Sequence, residues 1–138
     1  MTIVALVGVD KVGKTQTKEL LNKKTNFKYC VLDRFIPDNY AYDKFYMRRN
    51  FTNWLYEETY LPKSIFKIVY LYASKSELKK RFKKHNETDI VLDSSYDILT
   101  SHYENYLKET QLDFIKLNTT YDTPEQTVSK IIKWLKKF

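Results

Sequence analysis

The sequence predicts an α/β fold, a three-layer domain in which a short parallel sheet of about four strands is flanked by helices. Two observations carry that prediction. Short continuous apolar runs, suited to strands buried on both faces, recur along the chain between longer stretches of helical period. Strands that alternate with helices, rather than with tight turns, pair in parallel through helical crossovers. The 138 residues fit one domain, 1–138, with no internal repeat, low-complexity segment or linker.

The elements follow in order. "TIVALVGV" reads as a first, buried strand, and "KTQTKELLNKK" (14–24) as a helix. "KYCVL" (28–32) is a second strand ending at Asp33. In "IPDNYAYDKFYMRRNFTNWLYEETYLP" the apolar residues Met47, Phe51, Trp54 and Leu55 fall at helical spacing, predicting one or two aromatic-packed helices. "IFKIVYLYA" (65–73) is a third strand. Ser74 and Glu77 stand in capping-box relation at the start of the next helix. "HNETDIVLDSS" is polar and reads as a mobile loop, and a helix over about 95–109 aligns Tyr96, Leu99, Tyr103 and Tyr106. "LDFIKLN" (112–118) is the fourth strand. Thr123-Pro124-Glu125-Gln126 opens a last helix with Val128, Ile131, Ile132 and Leu135 on one face.

Composition narrows the setting. Apolar residues make up 43% and charged residues 30%, the balance of a soluble globular protein, and the net charge of +7 suits a phosphate-bearing partner as well as a merely solvated surface. Cys30 is the one cysteine and cannot form an internal disulfide; its neighbours "KYCVLD" predict a buried strand thiol and a reducing, cytoplasmic setting. The apolar N-terminus is too short for a signal-peptide core, and no apolar run approaches the roughly 20 residues of a membrane span, so no membrane partner is expected.

The chain has two glycines, Gly8 and Gly13, and both lie in "GVDKVGKT". A typical protein is about 7% glycine, so their pairing in one octet singles it out. It satisfies G-x-x-x-x-G-K-[ST] with a strand before and a helix after, the context of a phosphate-binding P-loop. Glycine lets backbone N–H groups approach phosphate oxygens, and the helix start adds its positive end. Lys14 would reach the β- and γ-phosphates, and the Thr15 hydroxyl would hold Mg²⁺. Asp33, at the end of the second strand, is a metal or base candidate. Arg34 beside it could grip a second phosphate bidentately, although an Asp-Arg pair in a surface turn fits the same residues.

"GVDKVGKT" together with "DRFIPDNYAY" resembles the thymidylate kinase family of deoxynucleoside monophosphate kinases. That family carries G-x-D-x-x-G-K-[ST] and D-R-[YFH]-x-x-S-x-x-A-Y, matched here by Asp10, Asp33, Arg34, Ala41 and Tyr42. "YLPKSIFKIVYLYASKSELKKR" resembles the segment leading into the family's lid helix. The resemblance implies a P-loop kinase-like fold, ATP and a deoxynucleoside monophosphate as partners, and Mg²⁺ as cofactor held through Thr15 and Asp33. Gly8, Val9, Asp10, Lys11, Val12, Gly13, Lys14 and Thr15 would form the ATP loop. Asp10 would contact the acceptor sugar, Arg34 its phosphate, Asn39 its base, and Tyr42 would exclude a ribose 2′-hydroxyl. Lys11 would help neutralise the transferring phosphoryl, Arg81 would stack on adenine, and about 85–95 would form a lid. Bland readings stand beside these: Tyr42 and Asn39 suit a helix core and cap, Lys11 an exposed loop, and Arg81 in "KKRFKK" a solvated helix face.

The match breaks at one place. Only 17 residues separate Thr15 from Asp33, where the family has a much longer segment carrying another acceptor arginine and a base-stacking ring. The family serine is also replaced, by Asp38. One wall of the acceptor site is therefore expected to be missing, with Arg48, Arg49, Phe51 and Trp54 as candidates to replace it. The family's dimer surface draws on the same segment, which leaves a homodimer open. Two other functions compete with phosphoryl transfer to a deoxynucleotide. One is non-catalytic nucleotide binding by a reduced kinase fold. The other is a 5′-hydroxyl polynucleotide or nucleoside kinase, ranked lower because no basic-aromatic groove for nucleic acid is visible in the sequence.

Overall fold

A computed structural model describes residues 1–48, 51–85 and 90–138. Four parallel strands form one sheet in the order β2-β1-β3-β4, with β1 at Ile3–Val7, β2 at Cys30–Asp33, β3 at Phe66–Tyr72 and β4 at Asp113–Asn118. The helices among the described residues are α1 (Lys14–Lys24), α2 (Ile36–Phe45), α3 (Phe51–Glu58), α4 (Lys75–Lys84), α5 (Ile90–Glu109) and α6 (Pro124–Leu135). None is long and apolar enough to cross a membrane.

Strand composition and position agree. The central strands β1 and β3 are buried almost throughout, in keeping with the apolar runs that make up β1 and, apart from Lys67, β3, whereas the edge strands β2 and β4 each hold one buried residue among half-buried and exposed ones. Edge position corrects one expectation. Cys30 is exposed, because β2 has a neighbour on one side only and Cys30 is its first residue.

The crossovers β1→β2 and β2→β3 run in opposite directions across the sheet. Right-handed connections in opposite directions place their helices on opposite faces, which yields the three layers. α1 packs with α6, while α2 packs with α3 and α5. The reversal also opens a crevice beyond the carboxyl ends of β1 and β3, the place where open α/β sheets bind ligands.

Helix ends mostly follow their signals. Thr123 and Gln126 close both halves of a capping box on α6. Ser74 Oγ accepts from the Glu77 amide, but the Glu77 carboxylate turns to Arg81 instead of back to the cap. The aromatic region divides into two helices: α2 stops at Phe45, and Met47 lies beyond it with φ 56° and its side chain exposed, so Met47 does not share a buried face with Trp54 and Leu55. Residues 86–89 of the expected lid lie outside the described residues. From Ile90 onward the chain is helical rather than loop, with non-helical dihedrals at Ser95.

Candidate functional site

The octet turns from β1 into α1. Gly8 has φ 142° and Gly13, the residue capping α1, φ 100°. They are glycine for different reasons. A Cβ on Gly8 would stand 2.3 Å from the Leu71 carbonyl oxygen of β3, so the loop must cross the sheet without a side chain there. A Cβ on Gly13 would meet only Thr17 Oγ1, at an ordinary contact distance of 3.9 Å, so the left-handed backbone alone demands glycine. Val9 and Val12 are buried and anchor the loop from below. Lys11 takes φ 67°, a conformation that costs a non-glycine residue about 1–2 kcal/mol.

That cost is offset by a brace from the other side of the crevice. Arg81 of α4 donates to the Lys11 carbonyl at 2.8 Å, to the Thr119 carbonyl at 2.7 Å and to Glu77 at 3.1 Å. Thr119, just past β4, donates its hydroxyl to the Val12 carbonyl at 2.9 Å. The Lys11 ammonium lies 5.8 Å from the centre of the Phe82 ring. Arg81 thus stands at the expected donor pocket with its guanidinium edge committed to holding the loop.

Lys14 is buried, with 7% of its surface exposed, and its ammonium donates to the carbonyls of Gly8 and Val9. Burial pulls its pKa below the ordinary lysine value, opposed chiefly by the charge of Asp38. Thr15 Oγ1 donates to Asp33 Oδ2 at 3.1 Å, joining the first turn of α1 to the end of β2. Arg34 follows with φ 80° and donates to Asp10 Oδ1 at 2.5 Å, both side chains half exposed. Burial disfavours the Arg34 charge, but Asp10 and Asp38, with a smaller part from Tyr42, together outweigh it and raise the pKa.

Asp38, on the first turn of α2, was legible only as a departure from a motif. Its carboxylate is buried and accepts from three donors: the Gly8 amide at 3.1 Å, the Tyr103 hydroxyl at 2.6 Å and the Phe35 amide at 2.8 Å. Burial pushes its pKa up, against Lys14 and these three hydrogen bonds.

The loop, the β2 end, α4 and the start of α6 together line a groove of about 960 Å³. Asp10, Lys11, Val12, Gly13, Lys14, Thr15, Asp33, Arg34 and Arg81 line it, whereas Gly8 and Val9 of the expected ATP loop do not. Lys80, Lys84, His85 and Asp122 also line it, although in sequence the lysine run of α4 reads as a solvated face. Thr119 had no signal beyond its place just after a strand, where sites of this architecture sit. Asn39 and Tyr42 lie outside that lining, on α2, Asn39 exposed and Tyr42 edge-on to Tyr103 with ring centres 6.5 Å apart. Of the residues suggested as a replacement wall, Arg48 and Trp54 both donate to the buried Asp43, at 2.8 and 2.6 Å. Arg49 and the Phe51 side chain lie outside the described residues.

The donor set tests the expected Mg²⁺. Among the described residues no three His, Cys, Asp or Glu side chains cluster to cage a metal. A hydroxyl and a carboxylate 3.1 Å apart fit a hard cation that completes its shell with water and phosphate oxygens, the usual habit of Mg²⁺ in nucleotide sites.

No protein-family model matches the chain, and no curated protein sequence does. Among solved structures, the YorR protein of Bacillus subtilis, crystallised in complex with phosphorylated GDP, is similar to it. The TM-score is 0.80 over 98% of this chain and 96% of that one, at 19% identity, so what the two demonstrably share is the fold.

Proposed function

We propose that this chain is an ATP-dependent phosphotransferase that moves the γ-phosphoryl group to the 5′-phosphate of a deoxynucleoside monophosphate. The observation that carries the reading is the pairing of two anion grips at the carboxyl end of the sheet. Lys14 and the α1 start serve a triphosphate, and Arg34, turned in by a left-handed backbone and steered by Asp10, stands across the same groove. The bound nucleotide in YorR, a protein of the same fold, is consistent with a nucleotide partner here.

Catalysis in such a site is positioning and charge neutralisation. Lys14 would exchange its carbonyl partners for phosphate oxygens. Mg²⁺, held by Thr15 with Asp33 behind it, would supply further charge neutralisation when bound. Lys11 and Arg34 would flank the transferring group, and Asp10 would orient Arg34 and meet the acceptor sugar. Asn39 and Tyr42 are assigned to the acceptor base and sugar, and Arg81 both to the adenine and to the loop it braces.

The test is a panel of acceptors incubated with γ-labelled ATP and Mg²⁺: each deoxynucleoside monophosphate, each deoxynucleoside and a 5′-hydroxyl oligonucleotide. Label on a monophosphate supports the reading. Label on a nucleoside or an oligonucleotide moves the acceptor to a hydroxyl, and nucleotide-induced thermal stabilisation without any labelled product makes the chain a binding protein.

A further inference from the structure

Asp38 has no part in the reaction just described and lies outside the groove lining, yet its carboxylate is buried, only 3% exposed. Burying a charge is costly unless it is fully hydrogen-bonded. A cap on α2 would not require it. The Phe35 amide, the only donor a capping role needs, is met by Oδ2 alone. Oδ1 accepts from Gly8 and from Tyr103, 30 and 65 residues away in the sequence. A serine hydroxyl, shorter and with a single oxygen, offers two acceptor lone pairs to these three donors.

The three donors belong to the three segments that must agree for transfer. Gly8 begins the phosphate loop, Phe35 follows Arg34 directly, and Tyr103 is the α5 ring that stacks on Tyr70 of β3 at 5.3 Å. Arg34 itself sits at φ 80°, held by its own amide to the Leu6 carbonyl at 3.0 Å and, one residue on, by Asp38.

We propose that Asp38 is a positioning residue that locks the phosphate loop to the turn carrying Arg34, fixing the separation of donor and acceptor grips. The proposal rests on the kinase reading for what Lys14 and Arg34 grip, and on the three hydrogen bonds for the lock itself. α5 completes it through Tyr103. Loss of the lock leaves each grip intact and lets them drift apart.

Asp38→Asn, Asp38→Ser and Tyr103→Phe test this by two readouts. In ligand-free protein, amide hydrogen exchange at Gly8 and Phe35 should accelerate at least about tenfold in Asp38→Ser, relative to β-strand amides such as Leu6 and Ile68. Asp38→Asn keeps an oxygen for Gly8 and Tyr103, so exchange should rise at Phe35 while Gly8 stays protected. In the transfer assay Asp38→Ser should lower kcat about 10- to 100-fold and raise the monophosphate KM, with the KM for ATP within about threefold of wild type. Asn should recover part of the loss, and Tyr103→Phe should show a smaller version of it. Unchanged exchange at both amides overturns the lock. Faster exchange with wild-type kcat and monophosphate KM reduces Asp38 to a helix cap and also overturns the proposal. A wild type that labels no mononucleotide defeats the kinase reading instead, and the exchange data then decide the lock by themselves.

Discussion

Among the described residues two lysines are buried, one at each end of the sheet, and they are held in opposite ways. Lys67, near the start of β3, donates to Asp113 Oδ2 at 2.8 Å and to the Lys63 carbonyl at 3.1 Å, and the Phe138 ring lies 4.0 Å from its ammonium. Lys14, beyond the end of β1, donates to two main-chain carbonyls, with Asp38 acting on it by charge. A lysine matched by a carboxylate and covered by a ring is finished with its partners. One held by neutral carbonyls beside a groove can trade them for phosphate oxygens at small cost. The contrast separates a lysine that ties the sheet together from the one proposed to bind phosphate.

The sharpest way to break that contrast is Lys14→Ala. Phosphoryl transfer should fall at least about 10³-fold while the melting temperature moves only a few degrees. A variant that keeps its rate would make Lys14 a second structural lysine. Next in size is the pair of glycines. Gly8→Ala should destabilise the fold by about 3–5 kcal/mol, combining collision with the Leu71 carbonyl and a strained φ, against about 1–2 kcal/mol for Gly13→Ala. Denaturant unfolding measures both, and equal losses would contradict the different reasons assigned to them.

Lys67→Met should behave as the mirror of Lys14→Ala. Stability should drop by about 1–3 kcal/mol because Asp113 loses its nearer partner and keeps only Lys63 at 3.9 Å, while transfer under folded conditions stays near wild type. The smallest effect concerns Asp43. Burial opposes its charge, but hydrogen bonds from Trp54 and Arg48 prevail and hold its pKa below the ordinary value of 3.8. The unfolded chain therefore binds the proton first on acidification, so this contribution is present above pH 3.8 and lost as pH falls through the lower folded-state value. Asp43→Asn should lower the melting temperature by a few degrees at neutral pH, and the gap should close in strong acid.

What could be read in advance follows from the range of the forces involved. β1 and β3 are legible because central strands need long apolar runs, broken in β3 only by Lys67, and the octet because two scarce glycines meet there. Cys30 misled because a four-residue strand does not announce that it lies at an edge. Met47 misled because helical spacing continued past the point where the backbone left the helix. Arg81 reads in sequence as an adenine-stacking residue by resemblance or as part of a solvated lysine-rich face; its brace to Lys11 spans 70 residues, a distance no local pattern encodes. Asp38 shows the same limit from the other side. Its substitution was visible, while the three donors that explain an aspartate there come together only through tertiary packing.

Calorimetric titration of a non-hydrolysable ATP analogue with Mg²⁺, into wild type, Lys14→Ala and Lys67→Met, tests most directly whether the functional lysine is the one without a carboxylate partner. Wild type and Lys67→Met should bind within about threefold of one another, and Lys14→Ala about 100-fold more weakly, a difference near 2.7 kcal/mol. Equal affinity in wild type and Lys14→Ala would contradict the assignment of Lys14 to the phosphates.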